Sequence, residues 1–300
     1  MLYGSIEAGG TKFVCAVGDE NFNVVDQTQF PTTTPDETLA RTVKYFKKFD
    51  HIDAFGIASF GPIDIDKNSD TYGWIIKTPK KGWSNIDFLG KMKESFHVPM
   101  FWTTDVNGSA YGEYVSAKRH DENIKSVSYI TIGTGIGMGS VINGDFLGVK
   151  GTPEFGHIKV KRHRDDLDFK GTCPWHGDCL EGVASGPTFE ARNGVKGQDT
   201  PISDPTWDII AYYAAQAVVD LTVTFRPDKV VLGGGVCTPE FIAKVRAQFT
   251  LLFNNYLSVG SLEKYITGPE IQHNGSATFG DFVLAQKAID DEKKNIEVGE

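Results

Sequence analysis

The chain has 300 residues, 40% of them hydrophobic, and a formal net charge of −9 at pH 7. This length suits two domains or one large divided domain, and the acidic balance excludes nonspecific binding to nucleic acid or anionic membrane through a basic surface. The four cysteines do not form a disulfide framework, the N-terminus lacks a basic leader, and no 18 apolar residues run together, so the sequence predicts a cytoplasmic protein without a membrane span.

The first part of the chain opens with a strand, a turn and a second strand. Strand-like residues from Leu2 to Val17 flank the turn Ala8–Lys12, whose glycine pair can present backbone N–H groups to an anion. Further along, the residue pattern predicts a helix over 37–46, a strand over 52–57, a long loop over 73–88, a strand over 99–103 and a helix from about Gly108.

The second part repeats the opening pattern. A strand over 126–132, a turn over 133–137 and a strand over 138–142 echo the first hairpin, which indicates a duplicated fold with one phosphate-facing loop in each half. The pattern then predicts a helix over 204–225, a strand over 229–232 ending in Gly233-Gly234-Gly235, helices over 241–257 and 276–289, and a frayed tail from Asp290. The domain boundary is predicted near residue 115.

The two hairpin loops and the glycine-rich strand end suit a nucleotide cleft. Thr11 and Lys12 lie in the first loop, Thr131 and Thr134 belong to the second, and Gly233 ends a strand. Backbone N–H groups and hydroxyls bind phosphate oxygens without a basic surface. The spacings G-x4-G-K-[ST] and G-x-G-x-x-G after a strand are absent, which argues against a P-loop enzyme and a dinucleotide-binding oxidoreductase.

Asp105 and Glu7 are the candidate acidic residues of this cleft. Asp105 follows a predicted strand and is suited to remove a proton from an alcohol that attacks a γ-phosphate, although a helix N-cap uses the same residue type. Asn107 lies two residues further on. Glu7 is suited to orient Mg²⁺ through water, and its alternative role is that of a polar residue on a strand.

A metal site is predicted between residues 154 and 181. Cys173, His176 and Cys179 have C-x2-H-x2-C spacing, which suits Zn²⁺; His157 is the preferred fourth ligand and His163 the weaker one. Four protein ligands make the metal structural. The alternative is that the cysteines are small buried hydrophobes and the histidines satisfied polar residues.

Glu154 and Glu181 lie at the two ends of this metal segment. The zinc site would hold both carboxylates rigidly beside a polar ligand. The alternative is a solvated surface position for each of them.

These motifs together resemble those of ROK-family sugar kinases. The matching stretches are Ile6–Lys12, Thr104–Asn107, Thr131–Gly137, Glu154–His157, Cys173–Glu181 and Leu232–Gly235, in the order seen in that family. The resemblance implies an α/β fold of the two-domain hexokinase/actin-like kind, a duplicated ribonuclease H-like fold with an inserted zinc-binding segment. It implies a small domain of residues 1–115 plus a C-terminal helix at about 277–300, a large domain of residues 116–276 with the zinc segment at 154–181, and a homodimer.

The resemblance also assigns roles to residues. Its phosphate-binding and adenosine-facing set is Glu7, Gly9, Gly10, Thr11, Lys12, Thr131, Gly133, Thr134, Gly135, Gly233 and Gly234. Asp105 is the implied base. The implied sugar-binding set is Asn107, Glu154, His157 and Glu181, and the implied zinc ligands are His157, Cys173, His176 and Cys179. The implied cofactors are structural Zn²⁺ and the Mg²⁺ that accompanies ATP.

Two departures from the wider family bear on the substrate. Glu7 stands where aspartate is usual and His176 where a cysteine is usual, and both features, like Gly82-Trp83, resemble the bacterial fructokinase branch. The resemblance therefore implies phosphorylation of fructose, with mannose, glucose or an N-acetylhexosamine as alternatives. A sugar-sensing regulator is the other class, but the first loop begins within ten residues of Met1, which leaves no room for an N-terminal DNA-binding domain.

Overall fold

The protein alternates strands and helices. The computed structural model describes residues 1–148, 151–271 and 275–298. The strands are β1 (Tyr3–Ala8), β2 (Lys12–Gly18), β3 (Val24–Pro31), β4 (Ala54–Ser59), β5 (Trp74–Ile75), β6 (Ile86–Asp87), β7 (Met100–Thr104), β8 (Ser126–Ile132), β9 (Ile136–Ile142), β10 (Asp145–Phe146), β11 (Lys229–Gly233) and β12 (Ile266–Thr267). The helices are α1 (Pro35–Phe46), α2 (Phe88–Ser95), α3 (Asp105–His120), α4 (Leu180–Ala184), α5 (Pro187–Asn193), α6 (Pro205–Thr224), α7 (Pro239–Phe253), α8 (Leu262–Tyr265) and α9 (Ser276–Val298).

Contacts divide the chain into two compact units. The first unit comprises the described residues of Met1–Ser116, Phe146–Thr152 and Ile271–Glu300. The second unit comprises Ala117–Asp145 and the described residues of Pro153–Glu270. Within the described residues, no helix has the length and apolar content required to cross a membrane.

The first unit is built on a five-stranded mixed sheet with the order β3-β2-β1-β4-β7. β1 is antiparallel to β2 but parallel to β4, and β4 is parallel to β7. The register aligns Ala8 with Ser59 and Ser59 with Thr104. The carboxyl ends of β1, β4 and β7 therefore lie at one edge of the sheet, the position at which α/β sheets bind their ligands.

Two layers of helices cover this sheet. On one face, α1 and α2 help to bury a cluster that includes Phe13, Phe55 and Trp83, each 0% exposed. On the other face, α9 packs against β1, β4 and β7 and buries Tyr3 and Phe282. Complete burial of one such aromatic side chain contributes about 1.5–3 kcal/mol, so these two clusters supply much of the stability of the first unit.

Glycines bring α3 and α9 unusually close together. A Cβ atom at Gly112 would lie 2.2 Å from the Ser276 carbonyl oxygen, and one at Gly280 would lie 2.0 Å from the Gly108 carbonyl oxygen. Neither position has room for a side chain, so the two backbones are in direct contact. This contact fixes the first turns of α3 against the sheet.

The second unit repeats the plan of the first sheet. Its five strands have the order β10-β9-β8-β11-β12, with β8 antiparallel to β9 and parallel to β11, and with β11 parallel to β12. The predicted repeat of a hairpin followed by parallel strands is therefore confirmed. The register aligns Thr131 with Gly233, so the second predicted loop and the glycine-rich strand end emerge side by side.

Several predicted element boundaries are wrong. The helix predicted from Gly108 begins at Asp105, because the Thr104 hydroxyl accepts a hydrogen bond from the Asn107 N–H at 3.3 Å and caps the first turn. The helix predicted to reach residue 257 ends at Phe253, since Asn254 adopts a left-handed conformation with φ of 50°.

The predicted long loop and the predicted frayed tail are also wrong. Residues 73–88 contain the paired strands β5 and β6, which are too short to produce a periodic pattern. The tail from Asp290 is helical as far as Val298. The last two residues of the C-terminal helix predicted at about 277–300 lie outside the described residues.

Candidate active site

The loop between β1 and β2 forms a tight turn that requires glycine. The Gly9 N–H donates to the Lys12 carbonyl at 3.0 Å, and the Thr32 hydroxyl donates to the Gly9 carbonyl at 2.6 Å. A Cβ atom at Gly9 would lie 2.7 Å from the Lys12 oxygen, whereas one at Gly10 would have nothing within 4 Å. Thr11 and Lys12 are exposed at the tip, with the Lys12 ammonium 3.1 Å from the Gln29 amide oxygen. The loop thus presents open backbone and a cation to solvent.

Asp105 is the first residue of α3 and follows the end of β7. Its Oδ1 accepts a hydrogen bond from the Val106 N–H at 2.9 Å, while Thr104 supplies the capping oxygen to Asn107. Because Thr104 caps the helix, α3 does not need Asp105 as its N-cap. Burial raises the pKa of Asp105 to about 6, which leaves the carboxyl mostly ionised at pH 7.

Glu7 lies on β1 at the same edge of the sheet. Burial, and secondarily the charge of Asp105, raise the pKa of Glu7 to about 7, while the nearby Lys12 opposes the shift. The strand register explains why Asp105 acts on Glu7. It aligns Ala8, Ser59 and Thr104, so the carboxyl ends of β1 and β7 lie at the same level of the sheet. Two carboxyls in electrostatic contact, both with pKa values near neutrality, are typical of sites that handle protons or cations.

In the second unit, the loop between β8 and β9 is closed by its own backbone. The Gly133 N–H donates to the Gly135 carbonyl at 2.9 Å, and the Gly186 N–H donates to the Gly133 carbonyl at 2.7 Å. Beside this loop, Gly234 has φ of 89° and leads the chain away from β11. A Cβ atom at Gly233 would lie 2.0 Å from the Tyr129 hydroxyl. Gly233 and Gly234 are therefore required by the close approach of β8 and β11, whereas a Cβ atom at Gly133 would have nothing within 4 Å.

A cavity of about 650 Å³ opens beside these glycines in the second unit. Its lining includes Gly133 and Thr134 from the predicted set, and Gly235 rather than the predicted Gly233 and Gly234. It also includes Pro187, Lys196 and Trp207. Sequence reasoning missed these last three, because they come from α5, α6 and the segment between them, none of which carries a motif. The volume and the mixed polar and apolar lining suit a nucleotide base and ribose.

Glu181 is fixed against the second loop. Its Oε2 accepts a hydrogen bond from the Ile136 N–H at 2.9 Å, and a Cβ atom at Gly135 would lie 2.7 Å from the same oxygen. Glu181 lies in the first turn of α4, where a carboxylate is favoured by the helix dipole. Gly156 is buried against the Ile136 carbonyl of the same loop. The Glu154–His157 turn, which contains Gly156, therefore also packs against the second loop.

Four side chains of the second unit form a candidate metal centre. The ligand atoms of His157, Cys173, His176 and Cys179 all lie within 4.8 Å of one another. Cys173 Sγ is 3.8 Å from Nδ1 of each histidine, and Cys179 Sγ is 3.5 Å from Nδ1 of His157. In a tetrahedron with Zn–S of about 2.3 Å and Zn–N of about 2.0 Å, neighbouring ligand atoms are about 3.3–3.8 Å apart.

The backbone of the metal segment folds as these spacings require. Cys173 and Gly177 exchange two backbone hydrogen bonds, of 3.2 Å and 2.9 Å, and Gly177 has φ of 64°. The turn brings the three ligands of the C-x2-H-x2-C motif to one point. His163 lies elsewhere, with its Nδ1 accepting from the Asp165 N–H at 3.2 Å, so the weaker ligand candidate is not part of the cluster.

A buried ion-pair network anchors this segment to the rest of the second unit. Asp166 accepts hydrogen bonds from Arg192 at 2.9 Å and 2.8 Å and from the Tyr213 hydroxyl at 2.8 Å, and these partners lower the pKa of its carboxyl against the effect of burial. Arg162 bonds the Asp166 carbonyl as well. No sequence motif marks Asp166, so this anchoring role is not predicted from the sequence.

The structure places the predicted residues in two groups. Glu7, Gly9, Gly10, Thr11, Lys12, Asp105 and Asn107 belong to the first unit; Thr131, Gly133, Thr134, Gly135, Gly233, Gly234, Glu154, Glu181 and the four metal ligands belong to the second. Asn107 is 1% exposed, and its Nδ2 donates to the Thr103 hydroxyl at 3.0 Å. Its Oδ1 has no hydrogen-bond partner among the described residues. Glu154 is exposed.

Sequence comparison identifies the class of protein. Residues 3–288 match the model of the ROK family, and the chain belongs to that family. It is 52% identical over 290 residues to the protein named Fructokinase of Streptococcus mutans serotype c, covering 95% of this chain and 98% of that one. It is 51% identical over 287 residues to the Fructokinase of Lactococcus lactis subsp. cremoris, covering 95% and 97%.

Comparison with solved structures gives the fold. The ROK hexokinase from Thermus thermophilus superimposes with a TM-score of 0.77 at 20% identity, covering 97% of this chain and 100% of that chain. The predicted α/β fold of the hexokinase kind is thereby confirmed.

Proposed function

We propose that this protein transfers the γ-phosphoryl group of ATP to a hexose, and that fructose, converted to fructose 6-phosphate, is its substrate. The observation that carries this proposal is the identity of about one half, over 95% of the chain, with two proteins named Fructokinase. The paired carboxyls of the first unit and the nucleotide-sized cavity of the second supply groups that such a reaction uses.

Asp105 is the proposed base. Its carboxylate accepts the proton of a sugar hydroxyl as that oxygen bonds to the γ-phosphorus, while the bond from the γ-phosphorus to the β-bridging oxygen breaks and ADP leaves. Three features support this role: the position at a strand end, the cap supplied by Thr104 rather than by Asp105, and a pKa of about 6 that keeps the carboxyl ionised near neutral pH.

The two glycine-containing loops are the proposed phosphate-binding elements. In the first unit, Gly9, Gly10, Thr11 and Lys12 would offer backbone N–H groups, a hydroxyl and an ammonium group to the phosphates. In the second unit, Thr131, Gly133, Thr134 and Gly135 would take the same part. Gly233 and Gly234 are proposed to face the adenosine, supported by the register that aligns Gly233 with Thr131. Of these six residues, Gly133 and Thr134 line the cavity.

Glu7 is the proposed partner of Mg²⁺. Bound Mg²⁺ supplies charge neutralisation on the phosphates, and it is commonly held by one or two carboxylates and several waters. The half-buried carboxylate of Glu7, at the sheet edge that also carries Asp105, can supply the one carboxylate that such a Mg²⁺ site needs.

The proposed sugar-binding residues are Asn107, Glu154, His157 and Glu181. The Asn107 Oδ1, which has no protein partner among the described residues, is suited to accept a sugar hydroxyl. Oε2 of Glu181 accepts the hydrogen bond from the second loop, and Oε1 is proposed to accept a hydrogen bond from the sugar. This double use would couple sugar recognition to the shape of the phosphate loop.

The metal centre is proposed to hold structural Zn²⁺ through His157, Cys173, His176 and Cys179. Two imidazoles and two thiolates are a donor set that Zn²⁺ prefers, and four protein ligands leave no position for a catalytic water. The metal would keep Glu154 and Glu181 in place. We further propose a cytoplasmic location, supported by four free cysteines, and a homodimer, supported by the family resemblance alone.

The proposal is tested by assaying ATP-dependent phosphorylation of fructose, mannose, glucose and N-acetylmannosamine, with Asp105→Asn as the control. We expect fructose to give the highest kcat/KM and the variant to lose about 10²–10⁴-fold in kcat, the range that a general base contributes. A higher kcat/KM for another of these sugars would reassign the substrate. Absence of turnover with all four, combined with sugar-induced stabilisation, would favour a sugar-sensing regulator.

A further inference from the structure

Asp281, in the second turn of α9, is a buried carboxyl that the proposed reaction does not use. It is 0% exposed, and its Oδ2 accepts a hydrogen bond from the Ser5 hydroxyl at 3.0 Å. Its Oδ1 has no hydrogen-bond partner among the described residues. Burial of a carboxyl oxygen without a hydrogen-bond partner lowers the stability of the folded protein, so the position of Asp281 requires an explanation.

The Asp281 carboxyl lies against the first turn of α3, the helix that begins with the proposed base. A Cβ atom at Gly108 would lie 3.0 Å from Asp281 Oδ1, and Gly108 follows Asp105 by three residues in α3. Residues three apart share one face of a helix, so the carboxyl occupies the face that also carries Asp105.

The hydrogen bond from Ser5 places Asp281 near Glu7 as well. Ser5 and Glu7 are two residues apart on β1 and therefore lie on the same face of the sheet. Asp281 thus touches the three elements, β1, α3 and α9, that meet under the proposed base and the proposed Mg²⁺ partner.

The surroundings of Asp281 favour its neutral form. Burial raises the pKa of Asp281 well above its ordinary value, and the charges of Glu7 and Asp105 raise it further, against the hydrogen bond from Ser5. β4 and β7, which also pack against α9, contain no titratable side chain. On β2 the titratable groups are Lys12, whose charge opposes the raised pKa of Glu7, and the Cys15 thiol, whose pKa is raised mainly by burial. Glu113 on α3 bonds the Ser276 hydroxyl at 2.7 Å, at the start of α9.

We propose that Asp281 is a positioning residue of the phosphotransfer site that remains protonated while Asp105 and Glu7 ionise. This inference rests on the proposed roles of those two residues. A third negative charge at this edge would raise the pKa values of the base and of Glu7 further and would favour their protonated forms. The neutral carboxyl avoids that charge and still ties α9 to β1 through Ser5.

The first test replaces Asp281 with alanine and with asparagine. We expect Asp281→Ala to lower kcat about tenfold with the KM for ATP within twofold, because α3 loses the group that supports its first turn. Asp281→Asn should restore most of the activity and keep the acid limb of the kcat/KM profile within about 0.3 pH units of the wild type. A kcat of Asp281→Ala equal to that of the wild type would overturn the proposal. An acid limb about one pH unit lower in Asp281→Asn would also overturn it, because such a shift would mean that the native Asp281 is charged.

A second test does not depend on turnover. If native Asp281 keeps its proton while the unfolded chain releases it, wild-type stability must fall as pH rises above the ordinary carboxyl range. The melting temperature of Asp281→Asn relative to wild type should therefore increase from pH 4 to pH 8, with Ser5→Ala as a control that removes the hydrogen bond but not the acid. A difference that is constant or decreases over this range would overturn the protonated state, whether or not the protein phosphorylates a sugar.

Discussion

At the residue scale, the first phosphate loop depends on one glycine that has no room for a side chain. Replacement of Gly9 by alanine would place Cβ 2.7 Å from the Lys12 oxygen that the Gly9 N–H already bonds. The loop must shift, so we expect a loss of about 1–3 kcal/mol in the free energy of unfolding and a KM for ATP about tenfold higher. Urea unfolding and steady-state kinetics measure the two effects.

The neighbouring glycine offers a matched control for stability. A Cβ atom at Gly10 has nothing within 4 Å, so Gly10→Ala should change the free energy of unfolding by no more than about 0.5 kcal/mol. Equal losses in the two variants would contradict the steric explanation. They would show instead that the turn needs the backbone freedom of glycine at both positions.

The sequence predicts functional residues that lie in a tight turn or at the end of a strand. It does not predict residues whose role depends on contacts with distant parts of the chain. Gly9 and Asp105 could be identified because local sequence, a turn and a strand followed by a helix, determines where they lie. Asp281 could not, since a helix predicted over 276–289 does not reveal which side meets Ser5 and Gly108. Thr104 is not predicted as the cap, because the sequence pattern predicts a helix start three residues too late.

At the element scale, the metal segment has almost no regular structure of its own. Between β10 and α4, its regular elements within residues 151–179 are single-turn 3-10 helices and isolated bridges. Such a segment requires a cross-link to hold Glu181 against the second loop. The ion pairs of Asp166 anchor one end, and the metal ligands would anchor the other.

Loss of one thiolate should therefore remove both the metal and the order of the segment. We expect Cys179→Ser to lose stoichiometric zinc and about 4 kcal/mol or more of stability, because loss of a structural metal is among the largest single-residue effects. Metal analysis of the purified chain and thermal unfolding measure these changes.

Cys237→Ser is the matched control for this element. Cys237 is half-buried and lies outside the four-residue cluster, so the variant should keep one zinc per chain. Full zinc content in Cys179→Ser would show that the ligand set is wrong.

Elements with long periodic patterns were predicted well, and short ones were not. The strand predicted over 126–132 coincides with β8, since alternation and β-branched residues continue through its whole length. β5 and β6 have two residues each, which is below the length at which periodicity can be read. The end of α7 at Phe253 depends on the left-handed Asn254, a conformation that asparagine permits but does not require.

At the scale of the whole molecule, the same sheet plan occurs twice and carries different chemistry each time. In the first unit, the edge formed by β1, β4 and β7 carries carboxyls with raised pKa values. In the second unit, the ends of β8 and β11 carry glycines beside a cavity of about 650 Å³. One copy is therefore suited to proton and cation handling, and the other to binding a large planar ligand.

This division predicts that binding and turnover can be separated. Asp105→Asn removes the base but none of the proposed phosphate contacts, so MgATP and fructose should stabilise the variant as they do the wild type. At ligand concentrations about 100 times Kd, the gain is about 2.7 kcal/mol per ligand, which raises the melting temperature by several degrees. Thermal unfolding with each ligand, and with both, measures the effect. If fructose stabilises the wild type but not Asp105→Asn, then Asp105 contributes to sugar binding itself, and its loss of turnover cannot be attributed to proton transfer alone.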